Sequence, residues 1–232
     1  MTQSRTYNYE DGLRKYLSKA FSTVAIGIAI SAVCAFIASK FLPALLMRSP
    51  FLALIMVAVE LGIAIYFSAR LNNMSTQTAW ICYIAYSVVT GLTFSTLLLT
   101  YTTATITYAF IATAVMFACM AFIGNTTKVN YTKVYTLFLP AVLAGFIITL
   151  LNAFIFHSEW INMVIVYVGL VLFLVITAAD VQKLKAFYMM GSGSNELMEK
   201  YMLLGAFQLY LDFVNLFLKI LQIFGKKNSN KK

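Results

Sequence analysis

Charge is what this sequence most lacks. Only 11% of its 232 residues are Asp, Glu, Lys or Arg, against about 25% in a soluble globular domain. Hydrophobic residues make up 61% and the mean hydropathy is +0.83. Long apolar runs recur along most of the chain, which excludes an ordinary water-facing fold and makes lipid the main solvent. Cysteine is scarce too. Cys34, Cys82 and Cys119 each fall inside an apolar run, with no Cys-x-x-Cys pair. An odd number of embedded thiols argues against a disulfide framework and a zinc site. The single histidine, His157, sits beside Glu159 in a predicted loop. There is no His-Glu-x-x-His, no Gly-x-Ser signal and no Gly-rich aspartate motif, so no enzyme is expected. No repeat, soluble domain or cleavable signal is legible, and no cofactor is implied.

What is present is a series of runs of about 20 apolar residues, the length that crosses a bilayer as a helix. They are twice as long as a barrel strand and lack its alternation. The pattern predicts an all-α integral membrane protein with seven spans, at roughly 20–46, 51–69, 78–100, 105–124, 134–156, 160–180 and 201–224. Pro43 is expected to break or end the first, and Pro140 lies inside the fifth. Residues 1–19 read as a polar tail, 20–224 as one membrane domain and 225–232 as a basic tail. The stretch VQKLKAFYMMGSGSNELMEK reads as the one long hydrophilic connection.

The net charge of +9 is concentrated in tails and short loops. That pattern sets orientation and attracts anionic lipid headgroups, and it forms no nucleic-acid stripe. Arg5, Arg14, Lys15, Lys19, Arg70, Lys128, Lys133, Lys183, Lys185 and Lys200 fall on one side, while the other has Lys40 and Arg48 before the C-tail. The N-terminus is therefore expected in the cytoplasm. With seven spans the C-terminal lysines would lie outside, so either they are tolerated there or one segment is re-entrant.

Three carboxylates sit inside spans: Glu60, Asp180 and Asp212. A charged carboxylate near the bilayer centre costs about 2.5–3.5 kcal/mol, and such residues usually face the bundle interior and mark ion, proton or substrate paths. The structural alternative is an acid that ties helices together. Gln208, Asp212, Asn215, Lys219 and Gln222 recur at spacings of four and three, a polar seam along one face of the last span. Asp180 lies at the end of the sixth span, and Asp212 is roughly 16 Å into a straight seventh. The two meet only if the seventh helix begins above the membrane surface or the sixth tilts. If they meet, they cannot both ionise cheaply in a low dielectric, and the pair can hold a proton near physiological pH. Ser87, Gly91 and Ser95 form a small-xxx-small row, a signal of close helix packing.

The string FQLYLDFVNLFLKIL resembles the hallmark of the Bax inhibitor-1 family. VITAADVQKLK resembles that family's Tyr-Asp-Thr-Gln segment, with Ala179 for Tyr and Val181 for Thr. VTGLTFSTLLLTYT and ITYAFIATAVMF are similar to its third and fourth helices. The resemblance covers nearly the whole chain and is closest to the prokaryotic branch. It implies a last helix surrounded by the other six, and a pH-sensitive calcium leak across the plasma (inner) membrane. It implies that Asp180 and Asp212 are a paired proton sensor and that Glu60 lies on the ion pathway, where the polar seam reads as adding Asp212 and Asn215; Arg70 is the nearest candidate for the latch on the sixth-span acid. Ca²⁺ takes 6–8 oxygen ligands, so Glu60, Asp180 and Asp212 suit weak binding of a permeant ion, not a tight metal site. The alternative is a regulator of a membrane protease or of a stress or cell-death pathway, acting through protein partners. That reading places the information in the N-tail and the 181–200 segment.

Overall fold

A backbone in hydrocarbon must satisfy its own N–H and C=O groups, and a helix does so within one segment. The computed structural model describes residues 2–41, 50–127 and 130–225, and no β-strand occurs among them. The elements are α1 (Thr2–Ala38), α2 (Pro50–Arg70), a 3-10 turn (Leu71–Asn73), α3 (Thr76–Phe94) and the one-turn α4 (Leu97–Thr100). They continue with α5 (Thr103–Thr126), α6 (Tyr131–Leu151), a π turn (Asn152–Phe156), α7 (Glu159–Gly191) and α8 (Asn195–Phe224). Among the described residues, seven stretches are long and apolar enough to cross a membrane, with α3 and α4 together forming the third. The expected break at Pro43, Arg48, Lys128 and the four C-tail lysines lie outside the described residues.

Three boundaries differ from expectation. The polar N-terminal segment is helical and continuous with the first span. The hydrophilic stretch after Asp180 is also helical: α7 runs on to Gly191 and α8 begins at Asn195. The third span is interrupted at Ser95–Thr96, where the Ser95 hydroxyl donates to Leu92 O (2.6 Å) and that of Thr96 to Thr93 O (2.9 Å). Hydroxyls that compete for backbone carbonyls are a usual reason for such breaks.

The chain divides into two compact units. The first holds α1 to α4 with Leu184–Tyr210. Ala20, Val24, Ser31, Ala35 and Ala38 make the buried stripe of α1, the spacing a helix needs to present one face. Ser31 Oγ donates to Ser87 O on α3 (2.7 Å) or to Gly27 O (3.0 Å) and shares a hydrogen bond with Tyr210 Oη on α8 (2.7 Å). Phe207 of α8 packs edge-on to Phe67 and Tyr86. Near the start of α8, Glu199 accepts from Trp80 Nε1 (3.1 Å) and pairs with Lys19 (3.6 Å). The small residues do what their row predicts: a Cβ on Gly91 would lie 2.6 Å from Ser31 O and 2.7 Å from Cys34 Cβ.

The second unit holds Ala104–Lys183 with the part of α8 from Leu211. Phe213 packs edge-on to Phe110 and Phe117 of α5. Gln182 of α7 donates to Gly124 O and Thr127 O, at the end of α5. Of the seven apolar windows, that of α8 is the most buried, 61% against 0% for α6. α8 is thus the most covered of these helices, and α6 keeps its apolar surface exposed.

Candidate functional site

The site is set by the tight α7–α8 hairpin. Ser194 caps α8, accepting from Leu197 N (3.1 Å). Gly191 allows the turn to close, since a Cβ there would lie 2.8 Å from Met198 Cα. Phe187 then stacks on Tyr201 (5.5 Å), and Leu184 fills the place beside Gly205. Within the first unit, the end of α7 from Leu184 and the start of α8 therefore run antiparallel. The turns that the sequence assigned to a loop are helical on both sides of this hairpin.

In the second unit, Asp180 and Asp212 lie within hydrogen-bonding contact of each other. They are 5% and 4% exposed, so the pair is dry. Tyr135 Oη, from the first turns of α6, donates to Asp180 Oδ1. Thr177, one turn before Asp180, donates to Phe173 O (2.7 Å) and lies within reach of Asp212. The Lys183 ammonium stands 4.6 Å from the centroid of the Tyr135 ring and feels both carboxyls. Asp212 Oδ2 is buried, and no donor among the described residues meets it.

That orphaned oxygen defines the chemistry. Two ionised carboxylates in contact are both acceptors, and they repel in a low dielectric. They satisfy one another only when at least one is protonated, its O–H donating to an oxygen of the other. A buried acceptor left without that donor costs about 1–3 kcal/mol, and more when charged.

The remaining residues are placed as follows. Asn215 is half-buried on the Asp212 face, its amide donating to Leu211 O (2.9 Å). Glu60 lies in the first unit, half-buried, and accepts from Thr93 Oγ1 (2.6 Å). Arg70 closes α2, exposed and without an ion pair among the described residues. No group of three or more His, Cys, Asp or Glu able to hold a metal occurs among the described residues. Sequence reasoning missed Tyr135 and Lys183 as partners of the pair. Lys183 carried a signal, being one turn beyond Asp180. Tyr135 carried none, because it reaches the acid from another helix.

The sequence model of the family described as Inhibitor of apoptosis-promoting Bax1 matches residues 13–229. An uncharacterized protein of Borreliella burgdorferi is 32% identical over 218 residues, 93% of this chain and 94% of its own length. One of Rickettsia prowazekii is 32% identical over 228 residues, 97% and 95% of the two chains. The Escherichia coli inner membrane protein YbhL is 32% identical over 219 residues, 93% of each. The family match takes in residues of all seven apolar helices, and the chain belongs to the Bax inhibitor-1 family of membrane proteins.

Proposed function

We propose that the chain is a pH-sensitive cation leak with Ca²⁺ as a permeant ion, gated by the proton held between Asp180 and Asp212. The observation that carries this reading is the buried acid pair, in which Asp212 Oδ2 meets no donor among the described residues. A proton and a cation compete for the same two carboxyls. As pH rises the shared proton leaves, the pair goes from one negative charge to two, and either a cation neutralises it or α7 and α8 are pushed apart. By linkage, Ca²⁺ in turn expels the proton. Two carboxyls bind Ca²⁺ weakly, which suits an ion that must also leave.

Asp212 and Asn215, on one face of α8, and the half-buried Glu60 are the oxygen ligands assigned to the path. Arg70, exposed at the end of α2, is the assigned latch. The E. coli relative is an inner membrane protein, which supports the plasma (inner) membrane as the site of action. The lysine and arginine distribution supports a cytoplasmic N-terminus.

Purified protein in liposomes is expected to pass Ca²⁺ at a rate that changes from mildly acidic to mildly alkaline pH. Folded protein that passes none at any pH would remove the leak and favour action through protein partners. Tyr135→Phe gives a second result. A hydrogen bond to a charged acceptor is worth about 1.5–3 kcal/mol, and the Tyr135 phenol favours the ionised Asp180. Its removal is expected to move the pH response toward higher pH. An unmoved response would show that the phenol does not act on the pair.

A further inference from the structure

The seam of α8 carries a cation as well as an acid. Lys219 lies in the second unit, seven residues beyond Asp212 and five before the helix end at Phe224. Seven residues are two turns, so both side chains leave the helix on one face, about 10 Å apart along the axis. That face is turned to α7 at both points. Asp212 meets Asp180, and Lys219 lies across Gly169: a Cβ there would be 2.9 Å from Lys219 Cε and 3.5 Å from Nζ. Gly169 and Asp180 are eleven residues apart on α7, three turns, and so again share a face. The line where α7 and α8 meet therefore has two charged stations, an acid pair and an amine, and a glycine makes room for the second.

Lys219 is half-buried, and no carboxylate pairs with it among the described residues. A lysine near the end of a span can also lay its stem on apolar surface and reach interfacial water or a lipid phosphate. Lys219 differs in facing the neighbouring helix at a glycine, on the same stripe as the acid pair. A fixed positive charge beside a cation path raises the energy of every cation passing it, and acts twice as strongly on a divalent ion as on a monovalent one.

We propose that Lys219 is the electrostatic barrier of the leak, a specificity-determining residue that holds cation flux low and disfavours Ca²⁺ relative to K⁺. This rests on the leak reading above.

The test is Ca²⁺ and K⁺ flux in liposomes for wild type, Lys219→Arg, Lys219→Gln and Lys219→Glu. Arg is expected to match wild type. Gln should raise Ca²⁺ flux several-fold and K⁺ flux less, and Glu should raise both further. To set the charge after folding, Lys219→Cys is made in a background with Cys34, Cys82 and Cys119 replaced. An anionic thiol reagent should then raise Ca²⁺ flux and a cationic one restore it. Flux that keeps its pH response but ignores the charge at this position overturns the barrier and leaves the leak standing, with Lys219 serving the lipid interface. Absence of flux in wild type and all variants overturns both.

Discussion

Asp212→Asn is expected to pass Ca²⁺ at every pH at the rate the wild type shows in acid. The reasoning follows from charge. With one proton the wild-type pair carries a single negative charge, and without it two. Asparagine in place of Asp212 leaves Asp180 as the only carboxyl, so the site never carries more than one negative charge. The Asn amide can donate to Asp180 as the shared proton did, which keeps α7 and α8 in their acid-state register. Asp180→Asn should behave alike, although it also alters the acceptor for Tyr135. The effect reads as the loss of the whole pH response, and flux assays on the two single variants measure it. A variant that follows the wild-type pH curve would remove the pair as the sensor.

The second large effect concerns stability. Gly91→Leu is expected to destabilise the protein by about 3 kcal/mol or more, at the upper end of overpacking costs. Even the first carbon of a side chain would meet Ser31 O at 2.6 Å, Ser31 Cα at 3.0 Å and Cys34 Cβ at 2.7 Å. Two of these are backbone atoms of α1, which cannot rotate away. Parting α1 from α3 would also break the Ser31 to Ser87 O hydrogen bond, in a dry site. Gly91→Ala should therefore destabilise as well, although alanine usually gains up to about 1 kcal/mol over glycine in a helix. Gly62, with nothing within 4 Å of its would-be Cβ, is the control: Gly62→Ala should be neutral or stabilising. Thermal unfolding in detergent separates the two signs.

How far the sequence could be read follows from what each feature responds to. The spans were legible because lipid imposes a long apolar run on any helix that crosses it. The seam was legible because polar residues at spacings of four and three are rare in such a run. The hairpin was not, because hydropathy reports contact with lipid, whereas Val181, Leu184, Phe187 and Gly191 are buried against protein while Lys183 and Lys185 occupy the other faces. Their spacing of three and four was present in the sequence but masked by its charges. The N-terminal turns were missed for the same reason. Tyr9 and Tyr16 pack on Tyr188, contacts between residues far apart in the chain. Tyr135 is the extreme case, since its role rests on one hydroxyl delivered by a separate helix.

The most direct test of the account is the proton itself. Infrared difference spectra of the reconstituted protein, titrated from mildly acidic to alkaline pH, report protonated carboxyl groups by their C=O stretch. The account predicts one such band in the wild type at neutral pH that fades as pH rises, and that is missing from both Asp180→Asn and Asp212→Asn. A band belonging to Glu60 would persist in both variants and is identified with Glu60→Gln. No band in the wild type, or one that survives either aspartate substitution, would mean that Asp180 and Asp212 do not share a proton, and the proposed gate would have no switch.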